Sequence, residues 1–391
     1  MSANTLTGLV PTILEALDMV SRELVGLIPA VNREVKAERV AIGQTVMSPV
    51  TPALASENIT PSNVSPNTAG LTIGNAQITI SKAKAVPWNF TGEETLGLQN
   101  SPIIAPYGTT ERDLIAQAIR TLTNEVELDL AVLVRQASRA FGTGGSAPFA
   151  TANEMSDFSQ TLKILQDNGC PMSDLRMVLN TTHSANLRGK QSQLFKANEA
   201  NTDDLLRRGK IGDLMGFAVG ESAGYSLFTK GTAAGATTNA AGYAVGATVI
   251  TLASAGTGTI LAGDVFTHAA DTANKYVVVT GDADVSNGGT ITIQAPGLRV
   301  AIPAVAQAIT LQNSYTPSAA FHRGAIQLAA RLPALPKGGD SATEREVITD
   351  PVSGLNFEFA VYRQYRQVRW EVALAWGSAV IKPANLAMLL G

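Results

Sequence analysis

Apolar residues recur at every third or fourth position over two stretches of the chain. In residues 7–25 this repeat predicts a helix with one apolar face, formed by Val10, Ile13, Leu17, Val20 and Leu24. Pro11 is tolerable in the first turn of such a helix. A one-sided helix needs a surface to lie on. Its own domain and a neighbouring subunit are the two alternatives.

The second repeat, at residues 111–140, is longer. Its apolar stripe consists of Ile115, Ile119, Leu122, Val126, Leu130, Leu133 and Ala137, and Thr110 is a candidate N-cap. At 1.5 Å per residue, a helix of this length would measure about 45 Å, far more than a typical globular helix. A coiled-coil dimer is the alternative, but the β-rich neighbouring sequence favours one long packed helix.

Residues 45–91 have a different pattern. Prolines exclude a continuous helix there: Pro49, Pro52, Pro61, Pro66 and Pro87. Residues 71–73 and 77–82 alternate between apolar and polar side chains, as strands do. The segment therefore predicts a long two-stranded hairpin with a Ser/Asn/Pro-rich tip at residues 56–68. Because an isolated hairpin is unstable in water, this one must rest on another surface.

The rest of the chain contains some segments with helical periodicity and others with the alternation of strands. Helical patterns cover residues 155–166 and 182–188, and a buried strand is predicted at 176–179. Residues 229–317 contain short strands separated by Gly and Asn/Asp turns, and residues 231–263 contain no charged side chain at all. This pattern predicts a small all-β module inserted into a parent domain. Strands at 357–362 and 365–376 and a helical tail at 384–390 are predicted to follow.

Charge is scarce throughout the chain. Of 391 residues only 16% are charged, against about 25% in ordinary soluble domains, and the net charge is 29 − 32 = −3. The shortage suggests that much of the surface is buried against other chains. A net charge near zero provides no strong field for gripping nucleic acid. No apolar run is long enough for a membrane span, and charges in residues 1–25 argue against a signal peptide, so we expect a soluble cytoplasmic product.

Histidine and cysteine are too sparse for the usual catalytic or metal-binding groups. His183, His268 and His322 are far apart in the sequence, and none is part of a zinc-binding motif. We interpret them as structural or surface residues. The single cysteine, Cys170, excludes a disulfide framework within the chain, and we expect its thiol to be buried and inert.

Glycine-rich and acidic motifs are equally incomplete. Residues 142–146 follow a helix, whereas a phosphate-binding loop follows a strand, and residues 189–191 lack the final hydroxyl of such a loop. The pairs Glu93-Glu94 and Asp203-Asp204 fit turns or helix N-termini. We therefore predict no catalytic, cofactor-binding or metal-binding residues, and the chain is not expected to be an enzyme.

Two basic groups could contact nucleic acid. Residues 207–210 form a compact cluster, and three arginines interleave with aromatic residues: Arg363, Arg366, Arg369, Tyr362, Tyr365 and Trp370. Strand alternation predicts that Arg363 and Arg369 share one face and that Arg366 lies on the other, so no continuous binding platform follows. Salt bridges at interfaces are favoured, and weak non-specific contact with nucleic acid stays open.

Three segments carry a resemblance to a known family. Residues 318–326 (SAAFHRGAI), 375–383 (AWGSAVIKP) and 212–217 (GDLMGF) resemble conserved segments of the major capsid (coat) proteins of tailed bacteriophages. The order of the predicted elements is also similar to that family. The inserted module resembles the I-domain of a podovirus coat-protein lineage of the Salmonella-phage type.

The resemblance implies an α+β capsid fold over essentially the whole chain. Its parts would be an N-terminal arm (1–44), an extended E-loop hairpin (45–92), a peripheral P-domain (93–149) with a spine helix at 111–140, the first part of an axial A-domain (150–228), the inserted β domain or I-domain (229–317), the second part of the A-domain (318–345), and C-terminal strands and a helix of the P-domain (346–391).

The family also implies a function and partners. Such proteins are structural: they self-assemble into hexamers and pentamers of an icosahedral shell around double-stranded phage DNA, through a procapsid that expands. The expected partners are further copies of the chain, scaffolding protein, portal protein, weakly bound packaged DNA and a possible decoration protein. The expected location is the virion capsid, after assembly in the host bacterial cytoplasm. Lys82 and Lys84 lie where some relatives form covalent crosslinks, but no crosslinking is predicted.

Two alternatives of other kinds accompany this interpretation. An encapsulin-type bacterial nanocompartment has the same subunit fold, although the inserted module and the chain length argue against it. A hydrolase or a secreted binding module is more remote, because no catalytic constellation is evident.

Overall fold

A computed structural model describes residues 25–50, 74–100, 107–152, 154–190 and 211–391. The helix predicted in residues 7–25 lies outside this range except for Val25. The hairpin tip at 56–68, the predicted strand at 71–73, the pair Asp203-Asp204 and the basic cluster at 207–210 also lie outside it.

The described residues form five α-helices and nineteen strands. The helices are α1 (Leu27–Ala30), α2 (Gly92–Asn100), α3 (Tyr107–Leu133), α4 (Ser156–Asp167) and α5 (Thr181–Lys190). The strands are β1 (Asn32–Val40), β2 (Thr45–Val50), β3 (Gly74–Thr79), β4 (Lys82–Thr91), β5 (Arg139–Phe141), β6 (Leu175–Asn180), β7 (Asp213–Leu214), β8 (Phe217–Ser222), β9 (Val249–Leu252), β10 (Val265–His268), β11 (Asp271–Thr280), β12 (Gly289–Ile293), β13 (Ile309–Leu311), β14 (Ser318–His322), β15 (Ile326–Pro333), β16 (Glu344–Thr349), β17 (Asn356–Gln364), β18 (Gln367–Val380) and β19 (Leu386–Leu389).

A six-stranded sheet supports the long helix α3, which we call the spine helix. Its strand order is β1-β15-β18-β17-β16, and β4 pairs with β18. The apolar stripe of the spine helix, including Ile119 and Val126, is buried in one core with aromatic side chains of the sheet such as Phe357 and Trp376. The stripe seen in the sequence is therefore the face that packs on this sheet.

A second sheet of eleven strands contains the middle and the end of the chain. Its main path is β13-β10-β11-β5-β19-β14-β6-β8-β7, and β12 and β9 extend it from β11. Helix α4 packs against it through a core that includes Phe158 and Leu165. The central strands β5, β6, β14 and β19 come from distant parts of the chain, so this sheet forms only when those parts meet.

The spine helix is shifted relative to its predicted range of 111–140. It spans Tyr107–Leu133, a short 3₁₀ turn follows at Val134–Gln136, and Arg139 begins β5. Ala137 is extended, with ψ 154°. The helical pattern continues past Leu133 in the sequence, but the last residues gain hydrogen bonds to β19 and β11 as a strand. The predicted helix end was wrong for this tertiary reason.

The predicted C-terminal helix at 384–390 is also wrong. A 3₁₀ turn at Pro383–Asn385 leads into β19, which pairs with β14 on one side and with β5 on the other. All four residues of β19 are fully buried. Leu, Ala and Met favour helices in isolation, but a central place in a sheet overrides that preference.

The inserted module is closed at its neck by a pair of aromatic residues. Phe228 and Tyr315 exchange backbone hydrogen bonds of 2.8 and 3.1 Å, and their rings lie 5.2 Å apart. The guanidinium of Arg135 lies over the Phe228 ring at 5.1 Å. The module has a core of its own that includes Phe266, Tyr276 and Ile291. It also continues the second sheet, because β11 pairs with β5.

Candidate assembly surfaces

The hairpin of β2 and β3 is the least supported part of the described fold. Its two strands pair only with each other, in register from Thr45 opposite Thr79 to Val50 opposite Gly74. The predicted hairpin of residues 45–91 was too long, because Lys82–Thr91 form β4, which pairs with β18 of the six-stranded sheet. The Met47 side chain on β2 is 60% exposed, and nearby Ile42 is 63% exposed. A two-stranded ribbon with exposed apolar side chains is marginal in water and suits contact with another protein surface.

The base of this hairpin is held tightly against the six-stranded sheet. Ile78 and Ile80 are fully buried against Ala329 and Ala375. The Ser81 N–H donates to the Trp376 carbonyl at 3.1 Å. At Gly377 an added Cβ would lie 2.1 Å from the Thr79 carbonyl oxygen, so only glycine allows this approach. The hairpin therefore projects from a rigid base.

Lys82 and Lys84 connect β4 to the spine helix. Their ammonium groups lie 2.6 Å from carboxylate oxygens of Asp129 and Glu125, respectively. Asp129 also accepts a hydrogen bond of 2.8 Å from Trp376 Nε1. The lysines are two residues apart on a strand and the carboxylates four apart on a helix, so each pair faces the same way. Both lysines are thus engaged within the subunit.

A polar groove of about 690 Å³ lies between β1 and the base of the hairpin. Its walls include Glu34, Lys36, Arg39 and Arg331. Arg331 lies 2.9 Å from the Glu34 carboxylate, and Arg39 lies 2.6 Å from Glu358. Each of these two arginines is paired with a carboxylate, so the net electrostatic potential in the groove is small.

The structure corrects the predicted faces of the β17–β18 arginines. Tyr362 lies opposite Arg369, and Arg363 lies opposite Val368. Paired residues share a face, so Arg363 and Arg369 point to opposite faces of the sheet. The prediction assumed that Arg363 and Arg369 lie on one continuous strand with alternating faces. In the structure, residues 364–367 form the hairpin turn between β17 and β18, so the two arginines lie on different strands. Arg366 lies in that turn with φ 56° beside Tyr365, which is 90% exposed.

Two histidines are buried. His183 Nδ1 lies 2.7 Å from the Ser318 hydroxyl, and burial lowers the pKa of His183 to about 4. Both residues are almost fully buried, so a substrate cannot reach this Ser–His pair. His268 stacks on Tyr276 with ring centroids 5.8 Å apart, and burial lowers its pKa.

The other predicted structural residues occupy ordinary positions. His322 Nδ1 accepts the Gly324 N–H at 3.1 Å in a turn. Cys170 is buried as predicted, and burial raises the pKa of its thiol to about 11. Glu94 accepts the Thr91 N–H at 2.8 Å in a capping box at the start of α2.

The glycine-rich residues 142–146 pack against the neck of the module. Gly144 lies so close to the Asn313 carbonyl that an added Cβ would be 2.2 Å from its oxygen. Among the residues that the structure describes, no three His, Cys, Asp or Glu side chains lie close enough together to hold a metal ion. Within the same residues, no helix has the length and apolarity of a membrane span.

Sequence reasoning missed one important residue. Glu127 on the spine helix is only 2% exposed and accepts hydrogen bonds from the backbone N–H of Gly26, Leu27 and Ile28. It also accepts the Ser222 hydroxyl at 2.6 Å. The available signal was its position directly after Val126, inside the buried arc of the helix. A carboxylate at such a position requires dedicated donors.

Comparison with solved structures agrees with this architecture. A chain from the capsid of Cyanophage P-SCSP1u superposes with a TM-score of 0.51 at 10% sequence identity, covering 95% of this chain and 90% of that one. A Mycobacterium phage Che8 chain gives a TM-score of 0.48 at 14% identity, covering 95% and 94%. A capsid chain of a native GTA particle gives 0.46 at 10%, covering 100% and 94%. No family model and no curated protein matches the sequence.

The predicted fold class is therefore confirmed. The chain has the α+β fold of tailed-phage capsid proteins, with a spine helix on a six-stranded sheet and a second sheet that carries the inserted strands. At such low identity the comparison establishes the fold alone.

Proposed function

We propose that this chain is a structural major capsid protein that self-assembles into the icosahedral shell of a tailed bacteriophage. The likeness over 95% of the chain to a chain from a cyanophage capsid carries the proposal. The proposed location is the virion capsid, reached after assembly in the cytoplasm of the host bacterium.

In this proposal the β2–β3 hairpin is the E-loop and the six-stranded sheet with the spine helix is the P-domain. The predicted bounds change accordingly: β1, β4 and β15, which were predicted in the N-terminal arm, the E-loop and the A-domain, join the P-domain sheet. Within the second sheet, β6, β7, β8 and β14 correspond to the A-domain together with β5 and β19, which were predicted in the P-domain. Residues 229–317 correspond to an I-domain of the podovirus lineage. The closed neck at Phe228 and Tyr315 and the separate core of the module support that last assignment.

The E-loop would lie over a neighbouring subunit. The uncharged, exposed side chains of Ile42 and Met47 support this, because burying them against a neighbour removes apolar surface from water. The ion pairs at Lys82 and Lys84 hold the base of the hairpin to its own spine helix. The projecting hairpin would then fix the orientation of one subunit relative to the next.

The proposed assembly consists of hexamers and pentamers, formed with scaffolding protein and a portal protein into a procapsid that expands around double-stranded DNA. A net charge of −3 supports only weak, non-specific contact with the packaged DNA. A decoration protein on the outer surface is compatible with this arrangement.

The direct test is electron microscopy of the purified protein, alone and coexpressed with its scaffolding protein. We expect closed shells built from rings of six and five subunits. The variant Met47→Asp should keep the circular dichroism spectrum and melting temperature of the wild type but fail to form shells, because it places a charge in the interface. Met47→Leu retains the apolar contact and should assemble.

Three outcomes would contradict the proposal. One is a strictly monomeric protein under all assembly conditions, and another is normal assembly of Met47→Asp. Purified shells that contain a cargo enzyme and no nucleic acid would instead support the nanocompartment alternative.

A further inference from the structure

His268 is buried inside the inserted module with its ring nitrogens unpaired. It is the last residue of β10 and is 1% exposed, and neither Nδ1 nor Nε2 has a hydrogen-bond partner among the described residues. The ring stacks on Tyr276 with an angle of 16° between the two planes. A neutral imidazole carries one N–H, so this side chain buries a donor that is not satisfied.

The carboxylate of Asp271 lies opposite this histidine. The two residues are paired across the β10–β11 hairpin. Oδ1 of Asp271 accepts the N–H groups of Ala273 and Asn274 at 3.2 and 3.0 Å. Oδ2 accepts the Asn274 side-chain amide at 2.9 Å and the Tyr276 hydroxyl at 2.7 Å. A carboxylate has about four lone-pair positions, so a protonated His268 can bind Asp271 only by displacing one of these donors.

The Asn274 side chain also belongs to the joint between the module and the rest of the second sheet. We call joint the contact of β11 with β5, in which Tyr276 pairs with Arg139. Arg139 Nη1 donates to Asn274 Oδ1 at 2.7 Å. Asn274 therefore holds Asp271 with its amide nitrogen and Arg139 with its amide oxygen, and a shift of this one side chain changes both contacts.

Arg139 connects the joint to helix α4. Its Nη2 donates to the Ile164 carbonyl at 3.2 Å and lies 3.3 Å from the Asp167 carboxylate. Among the described residues, Asn274 Oδ1 is the acceptor for Nη1. Arg139 is almost fully buried. Because a buried charge with an unpaired donor is costly, the stability of the joint depends on the position of Asn274.

Few titratable or charged groups lie around His268. The rest of β10 is uncharged, and so are β13, which pairs with β10, and the segment that leads into it, residues 301–311. β11 and the elements joined to it supply the remaining groups: Asp271, Lys275, Tyr276, Arg139, Arg299 and Asp167. Burial lowers the pKa of His268, and the charge of Asp271 opposes that effect in part.

The protonation of His268 is therefore linked to the state of the joint. In the closed joint burial holds the pKa of His268 below its ordinary value. In an open joint water reaches the ring, and the pKa returns to about 6.5. The open state then binds more protons, so acidification below about pH 6.5 shifts the equilibrium towards it. At higher pH the imidazole is neutral in both states, and the hydrogen bonds of Asp271 favour the closed joint.

We propose that His268 is an acid-sensitive switch for the joint between the inserted module and the second sheet. When His268 is neutral, Asp271 holds the Asn274 amide and the joint is closed. When the ring is protonated, the imidazolium binds Asp271, displaces the Asn274 amide and weakens the contact between Asn274 and Arg139. The proposal concerns a single subunit and does not depend on shell formation.

Amide hydrogen exchange measured by mass spectrometry from pH 7 to pH 5, corrected for the intrinsic pH dependence of exchange, tests the switch. In the wild type, peptides from β5 and β11 should exchange about fivefold faster at the lower pH, the effect of losing one net hydrogen bond. His268→Phe keeps an aromatic ring on Tyr276 but binds no proton, so it should show no such change. His268→Gln is a second variant without a titratable ring and should behave in the same way.

Two further variants serve as controls. Asn274→Ala removes the side chain that protonation displaces, so β5 should exchange at pH 7 as it does in the wild type at pH 5. His183→Asn removes a buried histidine outside the module and should leave the acid response of β5 and β11 unchanged. The chain has three histidines, so the imidazole NMR signal that is absent from His268→Phe identifies His268. Its titration midpoint should coincide with that of the exchange.

An acid response of wild-type size in His268→Phe and His268→Gln would overturn the proposal. Unchanged exchange of β5 and β11 in the wild type between pH 7 and pH 5 would overturn it too. A uniform increase over all strands would assign the response to global unfolding, which also contradicts a local switch. Shell formation is measured separately by electron microscopy, so failure here leaves the proposed function standing.

Discussion

The carboxylate of Glu127 accepts the backbone N–H of Leu27 at 2.7 Å, although a hundred residues separate them in the chain. The N–H groups of Gly26 and Ile28 donate to the same carboxylate at 2.8 and 3.0 Å, and the Ser222 hydroxyl donates at 2.6 Å. One buried side chain thus connects the start of the described chain, the spine helix and the end of β8.

Replacing Glu127 by alanine should therefore be costly. Glu127→Ala leaves three backbone N–H groups and one hydroxyl buried without their acceptor. We expect the free energy of unfolding to fall by about 3 kcal/mol, within the range for unsatisfied buried groups. Urea denaturation followed by circular dichroism measures this loss.

Glu125→Ala is the control for that experiment, because it removes a carboxylate from the same helix at a partly exposed ion pair with Lys84. Such pairs contribute less than about 1 kcal/mol. If both variants lose the same free energy of unfolding, the buried hydrogen bonds of Glu127 stabilise the fold no more than the exposed ion pair does.

Gly377 offers a test of how the hairpin base is held. In Gly377→Ala the new Cβ would lie 2.1 Å from the Thr79 carbonyl oxygen, so β3 must move away from β18. We expect the free energy of unfolding to fall by about 1–3 kcal/mol. Amide hydrogen exchange should quicken at Ile78 and Ile80 before it does elsewhere.

Gly97→Ala is the same chemical change with the opposite expected sign. An added Cβ at Gly97 meets no atom within 4 Å, and alanine is favoured over glycine within a helix by about 0.5–1 kcal/mol. Destabilisation by Gly97→Ala, or unchanged exchange at Ile78 in Gly377→Ala, would contradict this packing of the hairpin base.

Buried His183 predicts a specific acid sensitivity. Burial lowers its pKa in the folded chain to about 4, below the value of about 6.5 for an exposed histidine. Between these values the unfolded chain binds more protons, so stability falls as the pH decreases from about 6.5 towards 4. At about 1.4 kcal/mol per pKa unit, the loss reaches about 3 kcal/mol.

The variant His183→Asn removes this titration while keeping an acceptor for the Ser318 hydroxyl. Denaturation midpoints measured from pH 7 to pH 4 should fall less steeply for the variant than for the wild type. Parallel profiles would show that His183 does not titrate differently in the folded and unfolded chains.

The inserted module should fold without its host. A fragment of residues 227–317 includes both neck residues, Phe228 and Tyr315, and the whole separate core. We expect it to give dispersed amide resonances typical of β structure in a two-dimensional NMR spectrum. A collapsed, random-coil spectrum would mean that pairing of β11 with β5 is required for folding.

Local patterns in the sequence predicted several elements well. The stripe from Ile115 to Leu130 was correctly read as the buried face of one long helix, because that periodicity is written into consecutive residues. The β-rich character of the module and the buried state of Cys170 were equally accessible. Each of these depends on residue type and short-range spacing alone.

The predictions failed where distant strands compete with local preference. Residues 386–389 have helix-forming side chains, yet they form β19 because β5 and β14 supply hydrogen-bonding partners on both sides. Arg363 and Arg369 were assigned to one face because the count missed the turn between β17 and β18. Neither partner strand nor turn position follows from the local pattern.

By itself the sequence determined the long helix, the strand character of residues 45–50 and 77–79, the β-rich pattern of residues 229–317 and the shortage of charge, since these depend on composition and short-range periodicity. Only the tertiary structure decided that Glu127 is buried against Leu27, that β19 lies at the centre of a sheet, and that β4 pairs with β18 and not with the hairpin. Those features arise from contacts between residues far apart in the chain, where the free energy of packing outweighs local propensity.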